Sequence, residues 1–407
     1  MTEPAEIPAF PPPRDCPYSP PPRLGELLRD APVTRVRIWD GSTPWLLTRY
    51  DDVRAVLADR RFSVDPTRPG YPARGPAGRA RRGGTRSFLS MDAPEHTRLR
   101  RMLIREFTPR RIEALRPAVE RTATELLGKL AGQPEPTDLV GAYALPLPSI
   151  VIADLLGVPY DDHEFFEDRA RVMMDNSAAG DDIRAATAEL ARYLGSLLQQ
   201  RRTAPADDLL GRLSAQQVEP GHLSRAEAVS MAVLLLIAGH ETTANQIALS
   251  VAFLLDNPRH AEAFRRPDGP PDGAVDELLR LLTITHTGRR RVATADVPLG
   301  DGVTIRAGDG VIAAADVANR DPAQFPDPDG VDLGRAPNHH LAFGHGEHLC
   351  LGHHLARLEL HVALTTLLRG LPGLRLATPT GELPFRHSHP IYGIDRLPVA
   401  WNRPTGR

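Results

Sequence analysis

Lysine is almost absent from this chain: Lys129 is the only one, and arginine supplies the rest of the 49 basic residues. Together with an excess of Ala, Pro and Gly this points to a high-GC coding bias, which weakens any reading of one arginine as selected for function. Cysteine is as scarce. Cys16 lies in a proline-rich stretch and Cys350 in a glycine-rich one, so no disulfide framework is indicated and a reducing compartment fits. No uninterrupted apolar run reaches the roughly 18 residues of a membrane span. Residues 1–22 carry nine prolines and no apolar core of signal-peptide length. The expectation is a cytoplasmic protein without a membrane anchor. A formal net charge of -2 gives no global case for nucleic-acid or membrane partners. With 41% hydrophobic and 25% charged residues, the composition is that of an ordinary globular protein. A length of 407 residues sets a soft prior of two or three domains.

What is present is concentrated in Phe343 to Gly352, Phe-Gly-His-Gly-Glu-His-Leu-Cys-Leu-Gly. Cys350 stands at the start of a helical pattern continued by Leu355, Leu358 and Leu360. Unpaired N-H groups and the helix dipole at such a point favour negative charge and ease loss of the thiol proton. Gly344 and Gly346 can take backbone angles closed to other residues, and Gly352 lets a flat group lie against the chain. Phe343 supplies an apolar wall. A dry, hydrogen-bonded thiolate facing a planar surface suits a heme iron that splits oxygen rather than carrying it.

Phe343, Gly346, His348, Cys350 and Gly352 fill the pattern Phe-x-x-Gly-x-His-x-Cys-x-Gly, which resembles the cysteine-ligand loop of the cytochrome P450 heme-thiolate monooxygenases. A zinc site competes for the same stretch, because seven histidines fall between His339 and His361. Zinc normally takes several ligands at short fixed spacings. Here there is one cysteine, and the adjacent His353 and His354 point to different helix faces.

Four further segments extend the resemblance. Asp92 to Pro94 is a helix start, after which His96 and Arg100 sit four apart on one face, a fork for carboxylates. Ser224 and Glu227 form a capping-box signature ahead of an apolar run that contains Ala238-Gly-His-Glu-Thr-Thr and stops at Asn257-Pro258. The predicted helix is about 48 Å long. In its middle Thr242 can turn its hydroxyl to the carbonyl of Ala238, with Gly239 leaving room beside it. Glu277 and Arg280 lie three apart on one helix face. Arg289, Arg290 and Arg291 open a strand pattern whose alternation puts the first and third on one face.

The resemblance implies a mainly α, multihelical fold with a small β-sheet region: a proline-rich arm over residues 1–22 and a single domain over residues 23–407. It implies heme b (iron protoporphyrin IX) bound through Cys350 beside Phe343, with His96, Arg100, Arg291 and His348 on the propionates, and Glu241 and Thr242 relaying protons. It implies Glu277 and Arg280 in a buried network with Arg335, and an oxygen atom from O2 inserted into a small organic substrate by a monomer, in the manner of natural-product tailoring. With no fused flavin or iron-sulfur sequence, electrons are expected from ferredoxin and ferredoxin reductase. A heme sensor would not need the Glu241-Thr242 pair, whereas a peroxide-driven or oxidative-coupling enzyme would share nearly every motif.

The remaining scaffold is read from periodicity: strands over Val33 to Trp39 and Trp45 to Thr48, and helices over Asp51 to Asp59, Ile112 to Leu130, Ser149 to Leu156, His163 to Met174 and Asp182 to Gln200. Asp65 to Phe88, with six arginines against one acid, is expected to be a long connection bordering the pocket entrance.

Overall fold

A computed structural model of the chain describes residues 7–76, 87–175, 178–300, 302–387 and 389–402. The centre of the fold is the helix Arg225–Asp256, 32 residues long. Its start is the expected capping box: Ser224 Oγ accepts from the Glu227 N-H, and the Glu227 carboxylate accepts from the Ser224 N-H at 2.8 Å. From Ala244 to Leu254 every residue is buried, as expected of a helix walled in on all sides. Helices Pro146–Leu156, Gly180–Thr203 and His353–Gly370 pack on it. Among the described residues no helix is long and apolar enough to cross a membrane.

Helices His163–Met174, Gly180–Thr203 and Tyr50–Ala58 fall where periodicity places them. The predicted Ile112 to Leu130 helix is instead two, Pro109–Glu113 and Arg116–Ala131. Pro117 has no N-H to give the carbonyl of Glu113, and its ring clashes there. The strand predicted to run to Trp39 stops at Arg35. Beyond it the chain pairs with the N-terminal arm: Ala9 bridges Arg37 in parallel, Phe10 N-H donates to Arg37 O, and Arg37 N-H donates to Pro8 O. The arm is docked elsewhere too, with Phe10 buried and Tyr18 donating to Asp256 at 2.8 Å.

The main sheet has five strands in the order Val33–Arg35, Trp45–Leu47, Gly310–Ala313, Arg289–Ala293, Phe62–Ser63. All pairings are antiparallel except the second with the third. One face carries Leu47, Val53, Val311 and Ala313, the other Phe10, Leu24, Leu46 and Ile312. Gly344 and the following loop lie beside this sheet, because the Arg289 guanidinium donates to the carbonyl of Ala342 at 2.8 Å.

What fixes that loop from the other side is buried charge. On the helix Ala274–Leu281, both Glu277 and Arg280 have fully buried side chains, joined by two hydrogen bonds of 2.8 Å. Glu277 also accepts from Arg335 Nε, Asn338 Nδ2 and the N-H of Asp332, while Arg280 donates to the carbonyls of Asn319, Pro328 and Gly330. Arg335 is further held by the carbonyl of Pro326 at 2.9 Å. Burial raises the Glu277 carboxyl, but the bonds from Arg280 and Asp332 outweigh it and hold the group below the ordinary carboxylate range.

Glu277→Ala should therefore destabilise the protein by about 3–5 kcal/mol at neutral pH, the cost of leaving a buried cation uncompensated. Because the folded-state group titrates below its unfolded value, the stabilisation is complete above the unfolded pKa and is lost as pH falls through the folded one. Urea unfolding at several pH values checks this; a loss below about 1 kcal/mol at neutral pH, the scale of a surface pair, contradicts it.

Candidate active site

Positive φ at Gly344 (79°) and Gly346 (73°) gives the ligand loop its shape. A Cβ on Gly346 would stand 2.7 Å from the carbonyl oxygen of Leu57, so the loop lies directly on the end of the helix Tyr50–Ala58. Within the loop the Cys350 N-H donates to Phe343 O at 2.9 Å, and Arg100 donates to Leu349 O at 2.6 Å. A short 3-10 turn, Gly346–His348, precedes the cysteine. The next helix starts only at His353, with Gly352 as its cap, so Cys350 sits before the helix rather than at its first position.

That placement alters the expected thiol chemistry. Enclosure by protein raises the Cys350 pKa, while the Gly352 N-H and the guanidinium groups of Arg289, Arg100 and Arg357 lower it; the net direction is upward. The surrounding protein groups thus do not make a free thiolate by themselves, and a coordinated cation would complete the deprotonation. Cys350 is exposed on its open side, and nothing lies within 4 Å of where a Cβ on Gly352 would be. Phe343 walls the loop, with its ring 4.8 Å from the Arg357 guanidinium.

His96, Arg100, Arg291 and His348 lie close to one another here. The rings of His96 and His348 stack at 4.0 Å. His96 is 1% exposed, yet among the described residues neither of its ring nitrogens has a partner, and Nδ1 of His348 has none either. Arg291, also buried, bonds only the neighbouring Arg290 carbonyl among the described residues. Burial, reinforced by His96, Arg291 and Arg100, drives the His348 pKa down to about 3; burial and Arg100 lower that of His96. Buried polar nitrogens are rarely left unsatisfied, and these four donor side chains, with Asp92 and Glu347 as the neighbouring acids, fit the two propionates of a heme. The cleft beside them, about 370 Å³, is lined by Phe62, Asp92, Arg291, Glu347 and His348.

On the long helix, Thr242 Oγ1 donates to Ala238 O at 2.7 Å, as predicted. Gly239 serves a different purpose from the one expected. A Cβ there would meet Ile152 Cγ1 at 2.6 Å, so the glycine admits the helix Pro146–Leu156. Glu241 is buried, and its Oε2 receives Asn245 Nδ2 at 3.4 Å and Arg386 Nη1 at 3.3 Å. Asn245 was detectable as the i+4 neighbour of Glu241. Arg386 was not, being 145 residues away with no local motif.

Arg357 is held by Asp276 at 2.8 Å, with His340 on the same carboxylate oxygen, so its charge is largely matched. In the arginine-rich connection, Arg68 reaches toward Asp92 at 3.7 Å and Arg74 donates to Gly288 O at 3.2 Å. Arg79, Arg81, Arg82 and Arg86, in the connection expected to border the pocket entrance, lie outside the described residues.

A loop presenting one cysteine over an open face, beside buried ring nitrogens and guanidinium groups, fits a heme-thiolate oxygenase. The family model "Cytochrome P450" matches residues 272–371. Cytochrome P450-SU2 of Streptomyces griseolus is 49% identical, the alignment covering 95% of this chain and 94% of that one. Pentalenic acid synthase of Streptomyces avermitilis is 46% identical over 97% of both. The crystal structure of mycinamicin VIII C21 methyl hydroxylase from Micromonospora griseorubida, bound to mycinamicin VIII, superposes with a TM-score of 0.90 at 43% identity, covering 97% of this chain and all of that one. The chain belongs to the cytochrome P450 family. It is a monooxygenase that binds heme b and acts on a small molecule with O2 and a redox partner.

Gly346→Ala should cost about 1–3 kcal/mol for the left-handed backbone, plus displacement of the loop from Leu57. Heme content per chain and the melting temperature should both fall; an unchanged melting temperature at full heme content contradicts the contact.

Proposed function

We propose that Cys350 is the iron ligand and that His96, Arg100, Arg291 and His348 hold the propionates. The observation that carries this is the set of three ring nitrogens on His96 and His348, partnerless among the described residues and buried beside two guanidinium groups. A bound heme supplies O2 binding and O-O cleavage, which a thiolate ligand favours by pushing electron density. The protein's own part is narrower. The Gly352 N-H and nearby guanidinium groups steady negative charge on Sγ, and Phe343 walls the loop on one side. Thr242 offers a hydroxyl in the helix groove, and Glu241, one residue before it, is the nearest acid in sequence to feed it protons; general acid catalysis needs such a donor within reach or one water away.

The substrate class we infer is a natural product under oxidative tailoring, by hydroxylation or epoxidation. It is supported by relatives named for making pentalenic acid and for hydroxylating a methyl of mycinamicin VIII.

If Cys350 is the ligand, the reduced carbon monoxide adduct will show the red-shifted Soret band of a thiolate. Cys350→Ala will lose it, whereas Cys16→Ala, on the N-terminal arm, will keep it. A thiolate spectrum in Cys350→Ala refutes the assignment.

Ferredoxin is the proposed electron donor, docking where Arg101 and Arg105 lie exposed on and just past the helix that carries His96 and Arg100. Steering by exposed charge fades with salt. Arg101→Glu with Arg105→Glu should raise the ferredoxin concentration for half-maximal turnover at low salt and much less at high salt; the same dependence in variant and wild type rules this surface out.

A further inference from the structure

The N-terminal arm enters the body of the protein through one buried cation. The side chain of Arg14 is 7% exposed, and its guanidinium lies 3.6 Å from the carboxylate of Asp316, which is 3% exposed. Asp316 belongs to the short helix Ala315–Ala318, just after the central strand of the main sheet. The same guanidinium sits 4.3 Å over the ring of Tyr392, and Arg14, Asp316 and Tyr392 line one small cavity. Burial pushes the Asp316 carboxyl up to about 6, with Arg14 the main influence against that rise. Arg14 is thus held to the sheet on one side and to an aromatic face on the other.

Tyr392 belongs to a segment that joins the two sides of the site. Next to it, a Cβ on Gly393 would fall 1.8 Å from Oδ1 of Asn245, which follows Thr242 by one turn of the long helix. The Tyr392 N-H donates to Ile284 O at 2.8 Å, and Nε2 of His286 donates to the carbonyl of His389 at 2.7 Å. From His286 the chain runs on to Arg289, which bonds the carbonyl of Ala342 just ahead of Phe343. Residues 389–392 therefore span from the threonine-bearing helix to the strand beside the ligand loop. Within this stretch Tyr392 is buried, whereas Pro390 and Ile391 are half-buried, as are Ile284 and Thr242.

We propose that Arg14 is a positioning residue for the substrate pocket: from the arm it clamps Tyr392 and so fixes the wall formed by Pro390 and Ile391. This rests on the reading of the space between Thr242 and Cys350 as that pocket. A cation over an aromatic face is attracted most strongly where both are out of water, and Asp316 keeps the guanidinium compensated there. Without Arg14 the ring would lose this contact and Asp316 its nearest cation, a costly arrangement for a buried carboxylate, so residues 389–392 would sample other positions. A ligand large enough to touch the wall would then bind less tightly, in proportion to the lost population of the competent arrangement. One that fits at the iron alone would be unaffected.

The test compares two azole probes on the heme-loaded full chain: imidazole, which fits at the iron, and clotrimazole, a bulky triaryl imidazole that must lie against the pocket walls. Both are read by the Soret shift of nitrogen ligation, and hydrogen exchange of residues 389–393 follows the segment without any ligand. Arg14→Leu should speed that exchange and weaken clotrimazole by at least about threefold while leaving imidazole unchanged, the scale of one buried cation-aromatic contact. Arg14→Leu combined with Asp316→Asn, which removes the stranded carboxylate, should show the same two effects and serves where Arg14→Leu folds poorly. Tyr392→Leu should also speed the exchange, and its effect should not add to that of Arg14→Leu. Tyr18→Phe, which cuts the arm's bond to Asp256, should lower the melting temperature without changing the ratio of the two azole affinities, which separates positioning from a merely structural role of the arm. The proposal is overturned if exchange at 389–393 or the affinity ratio is unchanged in the Arg14 variants, if Tyr18→Phe shifts the ratio equally, or if imidazole reaches the wild-type iron and clotrimazole does not. If neither azole shifts the wild-type Soret band, the reading of the pocket itself fails.

Discussion

Glu277 accepts hydrogen bonds from two arginines, an asparagine and a backbone amide, all drawn from the 61 residues that follow it. Each partner is needed, because a carboxylate out of water is tolerable only when its lone pairs are filled. The same holds for Arg280, which spends its remaining donors on three carbonyls of the stretch leading to the ligand loop. Replacing such a cluster with apolar residues can leave a protein as stable or more so. Its evident contribution here is register. Residues 319–341 have little regular structure, and the network, with Asn319 Oδ1 accepting from the Leu341 N-H, sets where they stop and Phe343 starts.

Around the cysteine the requirement is reversed. His96, His348, Arg100 and Arg291 crowd together with their hydrogen-bonding capacity partly unused. Positive charge in a low-dielectric place repels its like, so this ring favours whatever anion enters it. The protein has invested its unfilled valences here and filled them at Glu277. The two clusters approach the ligand loop from opposite ends, one by saturation and the other by deficit.

Much of this was legible in the sequence because it is local. The capping box at Ser224, the stop at Asn257-Pro258, the four-residue spacing of His96 and Arg100 and the three-residue spacing of Glu277 and Arg280 all follow from helix geometry. The cysteine loop was legible as a pattern, whereas the start of the following helix at His353, after Cys350, was not. Pro117 was visible, and its consequence for the Ile112 to Leu130 segment was missed. What stayed hidden was non-local: Ile152 in the notch of Gly239, the arm pairing at Arg37, and Arg386 bonding Glu241. No period or motif connects such residues, since they meet only after the helices pack.

The parallel pairing of Trp45–Leu47 with Gly310–Ala313 bears on the order of assembly. Joining segments more than 260 residues apart requires closing a very large loop before any contact rewards it, which slows folding. A growing chain on the ribosome has His96 and Arg100 early, Arg291 much later, and Cys350 only after the sheet's last partner strand has emerged. Cys350 and the sheet beside its loop therefore arrive together, near the end of synthesis, and cofactor capture belongs to the closing stage of folding rather than to its nucleation.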